Sequence, residues 1–247
     1  MKVIISGFTG AMGNTLVKLI EESFFDIEIV AGVSNKSRGE CKFPEYESFY
    51  KIKEKADVII DFSHHILTKD MVKYASSTKT KVVIATTGHT EDELAKIHNL
   101  SKKVAVIYSG NYSLGINVLV ELVNKASEFL SGYDIEVIEK HHNNKIDSPS
   151  GTAKMLVDAV YNVEDYDRIY GRHGDGKRED REIGIHAVRG GTIVGEHEVI
   201  FAGDDEIIEI KHTALSKRMF ANGAIKAALW LKDKPAKLYS MKDVLGI

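Results

Sequence analysis

The sequence is poor in the features that would move it out of the ordinary globular class. It has one cysteine, Cys41, so no disulfide can form within the chain. That pattern fits a reducing compartment. No apolar run approaches the ~18–20 residues that a membrane-spanning helix needs. The three prolines are not gathered into a linker, and there is no internal repeat or low-complexity tract. Lys and Arg total 33 against 36 Asp and Glu, a formal net charge of −3, so no global basic field recruits nucleic acid. The opening MKVIISGFTGAMG has a short apolar stretch broken at once by glycines, and it reads as a first strand rather than a signal peptide. The expectation is a cytoplasmic protein without nucleic-acid or membrane partners.

What is present is 247 residues with 43% apolar and 28% charged content, enough for one larger domain or two small ones. The first hundred residues alternate short apolar runs with helix-compatible stretches. Val3–Ser6, Ile27–Val33, Val58–Phe62, Val82–Thr86 and Val104–Tyr108 read as strands buried on both faces. Asn14–Glu22 reads as a helix, and Thr90–Glu93 is a capping box that starts another. This alternation predicts a doubly wound parallel sheet. After Tyr108 the pattern changes. A long helix is expected from Ser113 to about Leu130, then a strand at Ile135–Ile138 and a polar surface loop over 161–182. Strands at Ile183–Val188, Thr192–Phe201 and Ile207–His212 are separated by hairpin punctuation, which predicts a mixed, largely antiparallel sheet in a smaller α+β domain. Phe220–Leu231 closes the chain as a helix. The expected organisation is a first domain over 1–110, with 216–247 returning to it, and a second over 111–215.

GFTGAMG places Gly7, Gly10 and Gly13 between the first strand and the first helix. Glycines there allow a tight turn and let backbone N–H groups approach a pyrophosphate at a helix N-terminus. Where an NAD-binding sheet usually has an acidic residue closing its second strand, this chain has Ser34 and Asn35, followed by Lys36 and Arg38. Neutral side chains with cations nearby suit a ribose 2′-phosphate, so NADPH is expected to bind at least as well as NADH. Ala85–Gly88 and Ser109–Tyr112 are further loops at strand carboxyl ends, the edge where a nicotinamide would have to sit.

Residues 139–154 read EKHHNNKIDSPSGTAK. Such a segment suits a metal, an anion, a proton transfer or an ordinary polar loop. Ser148 reads as a helix N-cap with Pro149 at the first helical position, leaving the backbone N–H groups of Ser150, Gly151 and Thr152 to follow. Such an end prefers anions by roughly 0.3–1 kcal/mol when exposed, and Lys140, His141, His142 and Lys145 add positive charge. Against a metal, adjacent histidines on a strand point to opposite faces, and Asp147 is the one close carboxylate. A lysine four residues from a histidine suits general-acid work. The residues alone therefore suggest a nicotinamide-dependent reductase of a small anionic substrate.

EKHHNNKIDSPSGTA also resembles the E-x-H-H-x-x-K-x-D-x-P-S-G-T-A signature of the dihydrodipicolinate reductase family. DFS at 61–63, TTG at 86–88, NYSLGIN at 111–117, AVRGGTIVGEHEVIF at 187–201 and FANGAIKAALWL at 220–231 fall in that family's order. The resemblance implies a Rossmann-like domain, a substrate domain with a mixed sheet, and a homotetramer built through the second domains. It implies reduction of 4-hydroxy-tetrahydrodipicolinate, a small dicarboxylate, by NADPH or NADH on the route to diaminopimelate and lysine. His141 would be the acid/base residue and Lys145 the proton donor, with no catalytic metal. His142, Ser150, Gly151 and Thr152 would contact substrate. Cofactor contacts would fall on Gly7, Phe8, Thr9, Gly10, Ala11 and Met12, on Ala85, Thr86 and Thr87, and on Ser109, Gly110, Asn111 and Tyr112, to which the reading of the second strand's end adds Ser34 and Lys36. The alternatives are another NAD(P)H-dependent imine or aldehyde oxidoreductase on the same scaffold, and a non-catalytic NAD(P)H sensor. Against a sensor, the chain has no basic recognition helix.

Overall fold

Val3, Ile4 and Ile5 are fully buried in the first strand, β1 (Lys2–Ser6), as an apolar run needs when neighbours cover both faces. The computed structural model describes residues 1–23, 25–39 and 41–247. After β1 come α1 (Ala11–Glu22), β2 (Glu28–Val33), β3 (Glu45–Tyr46), β4 (Val58–Asp61), α2 (Thr68–Thr78), β5 (Lys81–Ile84), α3 (Glu91–Ser101) and β6 (Val106–Tyr108). The helix α4 (Leu114–Phe129) leads to β7 (Asp134–His141), α5 (Gly151–Asp158), β8 (Asp167–Tyr170), β9 (Glu182–Arg189), β10 (Glu196–Ala202) and β11 (Ile207–Thr213). The chain ends with α6 (Arg218–Leu231), β12 (Leu238–Tyr239) and α7 (Met241–Leu245).

Contacts divide the chain into two units, Met1–Leu114 with Arg218–Ile247, and Gly115–Lys217. The sheet of the first unit is parallel and runs β12-β6-β5-β4-β1-β2-β3. Side-chain alternation splits its core in two. Val3, Ile5, Ile60, Val83 and Ile107 meet Leu16, Ile20, Ala224 and Ile225 from α1 and α6. Ile4, Ile59, Val82, Ile84 and Val106 meet Met71, Ala75, Ile97 and Leu100 from α2 and α3. This is the doubly wound, Rossmann-like sheet that the alternating sequence predicts. Strand order reverses between β1 and β4, and open α/β sheets bind ligands beyond the carboxyl ends of strands at such a point.

The sheet of the second unit runs β11-β10-β7-β9-β8. β10 is antiparallel to β7 and β11, while β7–β9 and β8–β9 are parallel. The sheet is mixed, as expected, but evenly so rather than largely antiparallel. The stretch 161–182, read from sequence as a loop, contains β8. That strand lies at the sheet edge with only Ile169 partly buried, so it carries no apolar signal. The connection from β7 to β9 passes through α5, and a helical crossover returns the chain parallel. Ile135, Val137, Val199, Phe201, Ile183 and Ile185 form the sheet's apolar face beneath α4 and α5.

Candidate active site

In the first unit, Gly7 ends β1 at φ +78, and a Cβ there would lie 2.5 Å from the Phe62 carbonyl oxygen. A Cβ on Gly13 would come within 2.1 Å of the Gly7 carbonyl oxygen. Both positions therefore exclude a side chain, and α1 starts tight against the end of β1. Gly10 is the N-cap of α1, and no side chain caps that helix. The first N–H groups of α1 thus face the switch point without a competing side-chain acceptor, which suits a pyrophosphate. Gly10 and Ala11 are exposed or nearly so, and Met12 is partly buried. Phe8 differs from the sequence reading of this turn. Its ring is fully buried, edge-on to Phe43, so the ring is core and only its backbone borders the turn. The Phe8 carbonyl accepts from Arg38 Nη2 at 2.7 Å.

Ser34 is buried at the end of β2, with its Oγ 2.5 Å from Thr9 Oγ1 and accepting from Lys36 N–H. The Lys36 side chain is exposed. At the end of β5, Thr86 is buried and donates its hydroxyl to Asp61 Oδ2 at 2.7 Å, while Ala85 packs on the core and Thr87 is exposed. Beyond β6, Gly110 is exposed, Ser109 donates its hydroxyl to the Asn111 carbonyl, and Asn111 Oδ1 accepts from Ser113 N–H. Tyr112 is 2% exposed and donates its hydroxyl to the Ile84 carbonyl. Its side chain braces the sheet.

In the second unit, alternation along β7 puts Ile135, Val137, Glu139 and His141 on the buried face. The apolar row thus ends in a carboxylate and an imidazole. Glu139 is fully buried. It accepts from His141 Nδ1–H at 2.6 Å, from both terminal nitrogens of Arg189 at 2.7 Å, and from Ser150 N–H at 2.9 Å. Burial pulls the Glu139 carboxyl up, but the bonds from Arg189, His141 and Ser150 outweigh it and hold the group below the usual carboxylate range.

The helix α5 begins at Gly151 and is capped by Ser150, whose hydroxyl accepts from Ala153 N–H. The cap lies two residues beyond the expected Ser148. Ser150 also spends its N–H on Glu139 and lies 2.9 Å from His197 Nε2. It therefore shapes the helix end and has no N–H left for a ligand. Gly151 is exposed and Thr152 partly exposed at that end. Lys145 reaches Asp147 at 2.7 Å, and this bond lowers the Asp147 pKa. His142 is partly buried, one residue beyond β7. His197 packs edge-on against His141 at 5.0 Å. Burial, reinforced by the charge of His141, lowers its pKa to about 4. Among the described residues, no group of three or more His, Cys, Asp or Glu is placed to hold a metal ion.

The family models described as "Dihydrodipicolinate reductase, N-terminus" and "Dihydrodipicolinate reductase, C-terminus" match residues 1–112 and 115–245. The chain belongs to the dihydrodipicolinate reductase family. It is 48% identical to the 4-hydroxy-tetrahydrodipicolinate reductase of Caldanaerobacter subterraneus, over 99% of this chain and 98% of that protein. It is 45% identical to the enzyme of the same name from Clostridium tetani, over 100% of this chain and 97% of the relative. The structure of dipicolinate-bound dihydrodipicolinate reductase from Paenisporosarcina sp. TG-14 has the same fold, with a TM-score of 0.82, 22% identity and 97% coverage of both chains. The family is one of NAD(P)H-dependent oxidoreductases.

Three residues of this reductase were not assigned a role from sequence. Glu139 stands two residues before His141, so strand parity alone puts both on one face. Arg189 lies in a stretch read as hairpin punctuation. His197 is one of the alternating inward residues of β10, but nothing in a single sequence pairs it with Ser150.

Proposed function

We propose that this protein reduces 4-hydroxy-tetrahydrodipicolinate to tetrahydrodipicolinate with NAD(P)H, a step toward diaminopimelate and lysine. The observation that carries the reading is His141 held through Nδ1 by a buried carboxylate, beside the start of α5, in a chain of this family. The dipicolinate in the Paenisporosarcina enzyme supports a small dicarboxylate as substrate.

The bound cofactor supplies a hydride. Everything else falls to the chain. The backbone of Gly7 to Met12 would hold the pyrophosphate, and the loops at Ala85–Thr87 and Ser109–Tyr112 would border the nicotinamide. Gly151 and Thr152, at the positive end of α5, hold a substrate carboxylate. A carboxylate can only accept, so His141 carries its proton on Nδ1 and presents Nε2. The substrate's 4-hydroxyl leaves as water as its bond to C4 breaks, that carbon takes the hydride, and Lys145 donates the proton that the resulting enamine needs to become product, while His142 contacts substrate. Ser34 in place of an acidic residue, with Lys36 exposed beside it, favours NADPH over NADH.

Exposed Val188, Ile207 and Ile208 on β9 and β11 support a homotetramer assembled through the second unit. Among the described residues no helix is long and apolar enough to cross a membrane, and with one cysteine the chain suits the cytoplasm. Oxidation of NADPH and NADH in parallel, with substrate generated in situ by its upstream synthase, tests the reading. Substrate-dependent oxidation supports it. Folded, cofactor-binding protein that oxidises neither cofactor overturns it.

A further inference from the structure

We propose that Glu139 is a positioning residue that sets the His141 tautomer and the substrate-binding helix end together, with Arg189 as its brace. The inference rests on the proposed role of His141.

The geometry joins three parts of the site through one carboxylate. Oε2 accepts from His141 Nδ1–H, and Oε1 accepts from Ser150 N–H, the residue that caps α5. Each oxygen also takes one terminal nitrogen of Arg189. Arg189 Nη2 donates further to the Asp147 carbonyl at 2.7 Å, in the loop whose Asp147 side chain pairs with Lys145. The loop after Arg189 returns to β7, where Gly190 N–H donates to the His141 carbonyl and Asn143 N–H to the Gly191 carbonyl. A shift of Glu139 therefore moves the imidazole, the helix start and the lysine loop at once.

Stability alone is a poor account of this cluster. Glu139 gives up all contact with water and Arg189 much of it, burial of an ion costs several kcal/mol in desolvation, and well-packed apolar residues often replace such pairs at no loss. The neighbours on the same row of β7, Ile135 and Val137, show that this face accepts apolar residues. The charged pair stands where that row reaches His141. Its use is to fix which imidazole nitrogen is presented and how the ring is turned, as an orienting carboxylate does for a catalytic histidine.

Glu139→Gln keeps the shape and removes the charge and the obligatory acceptor. The expected result is a fall in kcat of about 10- to 100-fold, part of what general acid–base catalysis contributes. KM for the dicarboxylate should rise and NADPH affinity, read by fluorescence titration, should not change. In a His141→Ala background, Glu139→Gln should lower kcat clearly less than it does in the wild-type protein, because one of the groups it orients is gone. Imidazole ¹⁵N NMR of the wild-type protein should show His141 protonated at Nδ1, and Glu139→Gln should mix the tautomers. Independent, additive losses in the double variant would overturn the inference. So would a neutral His141 protonated at Nε2 in wild-type protein, a measurement that stands even if Glu139→Gln does not fold. If His141→Ala is inactive while Glu139→Gln matches wild type, this inference alone fails. If His141→Ala keeps full activity, the proposed role of His141 fails and takes the inference with it.

Discussion

Thr9 Oγ1 lies 2.5 Å from Ser34 Oγ, tying the glycine turn to the end of β2 where an NAD-selective sheet has a carboxylate. Ser34→Asp places a negative charge where a ribose 2′-phosphate would lie and offers an acceptor to a free 2′-hydroxyl. The NADPH-to-NADH ratio of kcat/KM should move toward NADH by about tenfold, equivalent to ~1.4 kcal/mol. Steady-state kinetics with both cofactors check this. An unchanged ratio would remove Ser34 from cofactor choice.

Lys145 pairs with Asp147 at 2.7 Å, and its side chain is 19% exposed. Lys145→Ala should lower kcat by ~10²–10⁴, the usual range for a lost acid–base group. NADPH binding should be untouched, because the residues proposed to hold the cofactor belong to the first unit and Lys145 to the second. Turnover and titration on the same preparation separate the two. Equal losses in both would argue against a proton donor.

Nothing lies within 4 Å of where a Cβ on Gly151 would sit. Gly151→Ala should therefore leave the melting temperature unchanged or slightly raised. If a substrate carboxylate approaches this helix end, the added methyl should raise the substrate KM by about two- to fivefold, a loss near the 0.3–1 kcal/mol of an exposed helix terminus. An unchanged KM would place the carboxylate elsewhere.

His197 has a folded-state pKa of about 4 and an unfolded value near 6.5. Between those values the unfolded chain binds the proton and the folded chain does not. Stability should therefore be intact above about pH 6.5 and fall as pH drops toward 4, by up to about 3 kcal/mol from this residue. His89 and His212, also lowered by burial, act in the same direction. Denaturant unfolding across this range should show a smaller slope in His197→Gln than in wild type. Identical slopes would contradict the assignment.

The first unit was legible because its signal is local. Val3–Ser6, Val58–Phe62 and Val82–Thr86 are apolar runs that only a sheet covered on both faces can bury, and the Thr90–Glu93 capping box forms as read. The elements the sequence hid are those with weak apolar patterning. β8 is a polar edge strand, and α2 buries only Thr68, Met71 and Ala75. At the site, His141 and Lys145 stood out as chemistry-bearing residues, whereas the contacts of Arg189 with Glu139 and of His197 with Ser150 join positions about fifty residues apart in sequence. The pairing of β7 with β9 and β10 sets Arg189 opposite His141 and His197 opposite Glu139, and the bond of Ser150 N–H to Glu139 adds the cap of α5 to the group. The helix cap moved from Ser148 to Ser150 because Glu139 claims the Ser150 N–H, a tertiary contact that capping preferences alone do not contain.

The most direct measurement follows the hydride. NADPH deuterated at both C4 positions would be turned over with synthase-generated 4-hydroxy-tetrahydrodipicolinate, and the product read by mass spectrometry. The account predicts tetrahydrodipicolinate carrying one deuterium for each NADPH oxidised, with the signal largely lost in Lys145→Ala. Cofactor oxidation that leaves the product unlabelled would contradict it.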